Sequence, residues 1–399
     1  MFNSIEEAIG EIENGKMIVV VDDEDRENEG DLIMSAEFIT PEAVNFMAKE
    51  GRGLICAPVD EDIADRLRFY PMVQNNKESN KCNFTVSVDY NIGTTTGISA
   101  SDRSKTIKAI TDYHTLASDF SRPGHIFPLR SKKGGVLVRA GHTEAAVDLV
   151  KMAKLTPAAV ICEIANEDGE MMRRDDLRIF AKKHNLKIIS IKDLIEYRRR
   201  SEKLIKLVAQ TSLPTNYGDF EMMIYKTTID EKEHVVLKKG EFDSEDEVLV
   251  RVQSECLTGE VFLSKKCDCR LQLDMALEKM AKEGKGVLLY MRQEGRGIGL
   301  TNKIKAYSLQ EKGLDTVDAN KQLGFAPDLR KYGIGAQILV DIGLKNIKLM
   351  TNNPTKIIGL DGYGLNIVKR IALELPPTDR NHSYLKSKKE RMGHILDMV

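Results

Sequence analysis

The chain has 399 residues, 42% of them hydrophobic, and a formal charge of −2 at pH 7. This length accommodates two or three domains, either half being long enough to bury its own core. The near-neutral charge argues against a nucleic-acid partner held by bulk electrostatics. No apolar run is long enough to span a bilayer, and the acidic amphipathic start MFNSIEEAIGEI does not read as a signal peptide, so no membrane partner is expected.

The spacing of Ile5, Ala8, Ile9 and Ile12 predicts a helix over Ser4–Asn14, capped by Asn3 or Ser4. KMIVVV (Lys16–Val21) reads as a buried strand from its β-branched run. It runs into DDEDRENEGD, residues 22–31, where seven positions are acidic. Such a loop is usually solvated, yet this one lies between two apolar strands, Ile18–Val21 and Leu32–Met34, where oxygen ligands for Mg²⁺ gather. Composition leaves both readings open. Pro41–Lys49 and Asp60–Arg68 read as helices, and Gly53–Ala57, Asn83–Asp89 and Gly134–Arg139 as strands. The threonine-rich loop Gly93–Ser104 either holds a polar ligand or simply leads into a helix cap. Two prolines and a glycine fix the backbone around His125 in SRPGHIFP, and His142 falls at a strand-to-helix turn. Glu163 sits among apolar neighbours on the strand Val160–Ile164. It is either a salt-bridged core carboxylate or a group whose pKa desolvation raises toward acid/base use.

Asp193–Ala209 reads as one helix with a basic middle, and the join between halves falls near Arg198–Lys203 without a Gly/Ser linker. The expected class is α+β with mixed α/β sheets, in two domains, residues 1–200 and 201–399, each with its own sheet and packed helices. In the second half Asp246–Val252 alternates as a strand, and Cys256, Cys267 and Cys269 follow it as C-x10-C-x-C. Three thiolates with a fourth position left open suit a catalytic zinc; otherwise Cys256 is a small buried hydrophobe and the CDC pair is incidental. Cys56, Cys82 and Cys162 follow no disulfide framework, so a reducing, cytoplasmic setting is expected. The run Val287–Met291 ends in a glycine-rich turn carrying Arg292 and Arg296, which suits a phosphorylated substrate. Ala336–Leu344 reads as a helix and Lys345–Thr351 as a strand. The tail Glu374–Val399 carries a helix over Lys386–Val399 and no assignable role.

SECLTG, CDC, RQEGRGIGL, DTVDAN-x-x-LGF and LMTNNPTK stand in order across Leu204–Leu375, and together they resemble GTP cyclohydrolase II. DEDRENEGD, RPGHIFPL around His125, RAGHTEAAVDL and Glu163 resemble 3,4-dihydroxy-2-butanone 4-phosphate synthase across Ser4–Tyr197. That second resemblance decides the acidic hairpin in favour of a site. The pair of resemblances on one chain is that of the bifunctional riboflavin-biosynthesis family.

For the first half the resemblance implies conversion of D-ribulose 5-phosphate to 3,4-dihydroxy-2-butanone 4-phosphate and formate. It makes Glu27 and His142 the ligands of Mg²⁺ or Mn²⁺ and sets Arg26 and Asp31 against the substrate. It sets Glu27, Arg139, Ala140, Gly141, His142, Thr143 and Glu163 against the substrate too, with Arg139 and Thr143 at phosphate-binding positions by a helix start, and gives acid/base work to His125 and Glu163. Glu24 and Cys56 are expected to line the same site.

For the second half it implies hydrolysis of GTP to 2,5-diamino-6-ribosylamino-4(3H)-pyrimidinone 5′-phosphate, formate and pyrophosphate. Zn²⁺ on Cys256, Cys267 and Cys269 would activate water. Nucleotide contacts fall on Arg251, Val252, Gln253, Ser254, Glu255, Gln272, Glu294, Gly295, Arg296, Thr316, Thr351 and Lys356, with Tyr307 near the ring-opening chemistry. Asp328 and Arg330 match a proton acceptor and a nucleophile, although an arginine of such high pKa could instead stabilise charge. Arg270 replaces the glycine usual after CDC. A homodimer is expected. The competing readings are a chain with one competent half, or a GTP-sensing regulator without turnover; the complete residue sets in both halves weigh against them.

Overall fold

The computed structural model describes every residue except 1, 25, 78–81, 231, 326–327, 329, 331, 355, 357–363 and 379. Residue 25 of the acidic motif and parts of APDLRKYG and LMTNNPTK therefore lie outside the described residues. The chain forms two compact units, Met1–Glu202 and Lys203–Val399.

In the first unit α1 (Ile5–Glu13) begins at a capping box in which Ser4 and Glu7 satisfy each other's backbone N–H groups. The order continues β1 (Ile18–Val21), β2 (Gly30–Ser35), α2 (Pro41–Phe46), β3 (Cys56–Val59), α3 (Glu61–Arg66), β4 (Val88–Tyr90) and α4 (Ala100–Thr111). Then come β5 (Phe120–Arg130), α5 (His142–Met152), β6 (Ala159–Glu163), α6 (Arg174–Lys183), β7 (Lys187–Ser190) and α7 (Ile191–Ser201). The seven strands form one sheet in the order β4-β5-β3-β6-β2-β1-β7. It is mixed: β1 pairs antiparallel with β2 and parallel with β7. The continuous apolar run of β1 follows from burial on both faces. Val19 and Val21 join a core with Val44, Ile107 and Leu177, while Ile18 and Val20 join another with Ile12, Leu149 and Leu194.

The second unit runs β8 (Ile205–Thr215), β9 (Gly218–Thr227), β10 (Glu233–Lys239), β11 (Glu247–Ser254), α8 (Leu257–Glu260), α9 (Cys269–Glu283) and β12 (Gly286–Met291). It continues with α10 (Gly299–Glu311), α11 (Thr316–Gln322), α12 (Gly333–Asp341), β13 (Asn346–Met350), β14 (Asn366–Ile371) and α13 (His382–Met392). Its sheet has the order β14-β13-β11-β12-β10-β9-β8. β8, β9, β10 and β12 pair antiparallel, whereas β12, β11, β13 and β14 are parallel neighbours. Val248, Val250 and Val252 of β11 face one core, as their alternation predicts, and Leu249 faces the other. The carboxyl ends of parallel strands are where such sheets bind ligands. The cysteine-bearing segment, the glycine-rich turn and Thr351 all follow those ends.

Several sequence expectations are corrected. Gly134–Arg139 is not a strand: Gly134 and Gly135 take φ of 89° and 61°, and Gly135–Leu137 is a 3₁₀ turn. His142 accordingly opens a helix after a turn rather than after a strand. Of Asn83–Asp89 only Val88 and Asp89 enter β4, while Phe84 and Thr85 make isolated bridges. The helix proposed over Asp193–Ala209 stops at Ser201, and Ile205 begins a strand paired with β9, so sheet pairing overrides local helical pattern. The tail helix spans His382–Met392, ending where Gly393 turns left-handed at φ 65°.

Candidate active sites

The first unit gathers its polar groups at one end of the sheet. β1 delivers Asp22, whose buried carboxylate accepts the backbone N–H groups of Glu29 (2.9 Å) and Glu27 (3.3 Å) and so folds the acidic segment back on itself. Arg26 bonds Asp22 at 2.6 Å and also reaches Glu27. His142, at the start of α5, packs into this group: one ligand atom each from Asp22, Glu27 and His142 lies within 4.8 Å of the others. The His142 Nε2 lies 3.2 Å from the Val20 carbonyl, to which its N–H donates, leaving Nδ1 as the lone-pair donor. Burial pulls His142 down to about 4, so the imidazole is neutral and fit to ligate. Asp22 was not singled out from sequence, although it belongs to the acidic motif.

Asp31 on β2 is the cross-strand neighbour of Glu163 on β6. Burial, reinforced by Glu163 and Glu27, pushes Asp31 well above the usual carboxylate range, and burial also raises Glu163. The Glu163 Oε2 accepts the N–H of Leu54 at 2.8 Å. His125, on β5, presents Nδ1 to Asp89 at 2.7 Å, and Asp89 also accepts the His125 backbone N–H. Asp89 is a partner that sequence reasoning missed, since it lies 36 residues away on another strand. Cys56 is buried on β3, its thiol raised by burial and by Glu163, which puts it beside the carboxylates. Glu24 instead forms an exposed ion pair with Arg174.

Thr143 is buried and follows His142 in α5, while Arg139 folds over Gly141 and bonds Glu144 at 2.6 Å. A Cβ at Gly141 would meet the Arg139 guanidinium at 2.2 Å, so glycine is needed for this approach. Ala140 connects Arg139 to the helix cap.

In the second unit the three sulfurs converge. Cys256 and Cys267 Sγ atoms lie 3.7 Å apart, and all three sulfurs fall within 4.8 Å of one another. Zinc–thiolate bonds of about 2.3 Å at tetrahedral angles put sulfurs roughly 3.8 Å apart, so the donor set fits zinc. A Cβ on Gly259 would meet the Cys267 sulfur at 2.7 Å and the Cys256 sulfur at 3.2 Å. Hydrogen bonds from Cys267 and Cys269, with Lys303 beside it at 3.1 Å, hold the Cys256 thiol far below its usual range. Lys303 also pairs with Glu294 at 2.8 Å. Arg270 turns away from the sulfurs to Asp274, so it adds no side chain to the cavity.

The sulfurs form one wall of a cavity in the second unit. Arg251, Gln253, Ser254, Glu255, Gln272, Gly295, Arg296, Tyr307, Thr316, Thr351 and Lys356 line it, together with Glu294 and Arg330. Several of these are already committed. Gln253 accepts from Arg251 at 2.7 Å and donates to Glu260; Glu294 holds the Leu257 N–H and Lys303. Val252 packs in the core, and only its carbonyl serves the cavity, accepting from Lys356 at 2.7 Å. Asp328 grips Arg330 through Nε at 2.9 Å and through Nη2. Burial opposes both charges, but the mutual hydrogen bonds outweigh it: Asp328 is lowered and Arg330 raised. The Tyr307 hydroxyl lies 3.3 Å from that of Thr258, and burial raises it to about 12. Lys303, Asn320, Asn352 and the tail residues Tyr384, Lys388, His394 and Leu396 also line the cavity, none of them foreseen.

A family model for 3,4-dihydroxy-2-butanone 4-phosphate synthase matches residues 6–197, and one for GTP cyclohydrolase II matches residues 206–372. The chain is 55% identical over 398 residues to the riboflavin biosynthesis protein RibBA of Bacillus cereus, covering 100% of both chains. It is 57% identical over 397 residues to that of Bacillus subtilis, covering 99% of this chain and 100% of the relative. It is 56% identical over 399 residues to that of Endomicrobium trichonymphae, covering 100% and 99%. Among solved structures it is similar to RibBX of A. baumannii, a two-domain 3,4-dihydroxy-2-butanone 4-phosphate synthase, with TM-score 0.70 and 36% identity over 94% of this chain and 100% of that one.

Proposed function

The chain belongs to the bifunctional riboflavin-biosynthesis family, and from that premise we propose how its own residues divide the work. Its first half forms 3,4-dihydroxy-2-butanone 4-phosphate and formate from D-ribulose 5-phosphate. Its second half hydrolyses GTP to 2,5-diamino-6-ribosylamino-4(3H)-pyrimidinone 5′-phosphate, formate and pyrophosphate.

In the first half Glu27 and His142, joined by Asp22, would hold a divalent ion, Mg²⁺ or Mn²⁺. Bound there, the ion supplies polarisation of a substrate carbonyl. Asp31 contacts the substrate and Glu163 moves protons, burial raising both carboxylates. His125, oriented by Asp89, is the second acid/base group. Arg26 contacts the sugar, and Arg139 with residues 140–143 at the start of α5 takes the phosphate.

In the second half Cys256, Cys267 and Cys269 would hold Zn²⁺, which supplies a nucleophilic water at neutral pH. Tyr307 stands next to the sulfurs through Thr258 and orients the guanine end. The residues lining the cavity bind GTP, and Arg330 stabilises phosphate charge. The tight grip of Asp328 keeps the Arg330 proton in place, which supports an electrostatic over a nucleophilic role. The six free cysteines support a reducing cytoplasm. A homodimer is proposed; the edge strand β8 leaves Leu207 and Val208 exposed, apolar surface that a second copy would cover. No described helix is long and apolar enough to cross a membrane.

The observation that carries this reading is a separate, chemically distinct donor cluster in each unit. Formate release, assayed with ribulose 5-phosphate and with GTP in turn, tests it. Formate from both substrates is expected, and silence with either would remove that half's assignment.

A further inference from the structure

The GTP cyclohydrolase II match ends at residue 372, yet the cavity does not end there. Residues 381–398 return to it and are fastened at four places to residues around it. Lys388 bonds Asp268, between the two cysteines of CDC, at 3.0 Å. Arg391 bonds Asp318 at 2.8 and 3.0 Å and also reaches Asp315, bracketing Thr316. The Ile395 N–H donates to the Asn352 carbonyl at 2.8 Å, next to Thr351. Arg296 lies 2.9 Å from the Met392 sulfur. Leu385 and Leu396 are buried, which anchors the segment by apolar contact as well.

The charge inside this enclosure is lopsided. Arg251 bonds Gln253, Gln272 and the Met350 carbonyl, and Lys356 bonds the Val252 carbonyl: both buried cations have neutral hydrogen-bond partners. Arg296 and Arg330 face the same space. Lys388 enters it from the tail, 13% exposed, with its ammonium 4.4 Å from the Tyr384 ring. The crowding lowers Lys356 well below the ordinary lysine range, first through burial and then through Arg251, Arg330 and Lys388. Asp328 and Asp268 partner Arg330 and Lys388, while Arg251 and Lys356 have no carboxylate bonded to them among the described residues, and a multivalent anion entering the cavity would stabilise the cluster.

We propose that the C-terminal segment is a wall of the GTP cavity and that Lys388 is a substrate-binding residue, meeting the triphosphate together with Arg296, Arg330 and Lys356. Asp268 holds the ammonium in place until the nucleotide arrives. This deepens the reading of the second half as a GTP cyclohydrolase and rests on it.

The test uses the full-length chain with Lys388→Ala, Lys388→Met and Lys388→Arg. As control, Lys386→Ala removes the same charge from an exposed position of the same helix. Losing one charge-assisted bond to phosphate raises KM for GTP by about tenfold or more. The Ala and Met variants should show that rise and an equal weakening of inhibition by pyrophosphate. Zinc content and ribulose 5-phosphate turnover should stay at wild-type level. Lys388→Arg should recover most of the affinity, and Lys386→Ala should match wild type. Unchanged KM and pyrophosphate inhibition in both variants would overturn the proposal. So would a lowered KM, which would mean that the segment competes with substrate, or loss of zinc, which would mean that Lys388 acts only through Asp268. A wild-type chain that binds GTP without opening it would defeat the reading of the second half instead, and leave the binding comparison between variants to judge Lys388.

Discussion

The two units carry opposite electrostatics. The first clusters Asp22, Glu27, Glu29, Asp31 and Glu163 at a sheet end, and their burial and mutual repulsion raise Glu29, Asp31 and Glu163. The second clusters Arg251, Arg296, Arg330, Lys356 and Lys388, and there burial and repulsion push Lys356 down. The difference follows from the substrates. Enolising a sugar monophosphate needs bases and a hard cation; holding a nucleoside triphosphate over a soft thiolate site needs positive charge.

The sharpest way to break this comparison is to disable one site and watch the other. Cys267→Ser should lose zinc and lower GTP ring opening by about 10³-fold or more, a metal-dependent step, while ribulose 5-phosphate turnover stays intact. Glu27→Ala and His142→Ala should do the reverse, with EDTA as a mimic and Mg²⁺ restoring only the wild type. The checks are metal analysis and formate release on each substrate. Full zinc in Cys267→Ser, or a first half that works without Glu27, would void the ligand assignments.

Arg330 comes next in size. If its charge does the work, Arg330→Lys should lose about tenfold to a hundredfold in GTP turnover, because the fork to phosphate is lost but the charge is kept. Arg330→Ala should lose about 10³-fold or more by the same argument. Rates of pyrophosphate and formate release measure this; a Lys variant as dead as Ala would restore the nucleophile.

Much of both sites was readable because their chemistry is contiguous. The cysteines lie within 14 residues and the acidic hairpin within ten. Asp89, Lys303 and the tail were not, for a shared reason. Each acquires its role only when distant elements meet, Asp89 with His125 across β4 and β5, and Lys388 with Asp268 across 120 residues. The same physics explains the failed helix over Asp193–Ala209: its second part pairs as edge strand β8 with β9, a partner that local pattern cannot see. Gly134 and Gly135 held a legible warning, since paired glycines mark positive φ, but the apolar run after them masked it.

Gly259→Ala probes the soft site more gently. The new Cβ would sit 2.7 Å from the Cys267 sulfur, so that thiolate must shift. A fall of about tenfold or more in zinc affinity is expected, in the range of changes that disturb ligand orientation, with no effect on the first half. Competition with a chromogenic chelator reads it. An unchanged affinity would mean that the sulfur cradle yields freely.

The smallest expected effect separates the halves by pH. His234, 2% exposed on β10, accepts the Arg292 N–H through Nδ1 at 3.1 Å and so must be neutral there. Burial pulls it down to about 4; Asp230 works against this, while Lys232 and Arg292 add to it. In the unfolded chain a histidine titrates near about 6.5. The folded value is therefore the lower one, and on acidification the unfolded state takes up the proton first. The stability from this group is complete above the unfolded value and is lost as pH falls from there through about 4. By pH 5 the loss should be about 1–2 kcal/mol. Hydrogen exchange of the β10 and β12 amides in the full-length chain measures it locally. His234→Gln, which keeps an acceptor but does not titrate, should flatten the pH dependence of those amides. If the variant and the wild type lose protection in parallel, the acid sensitivity of this sheet arises elsewhere.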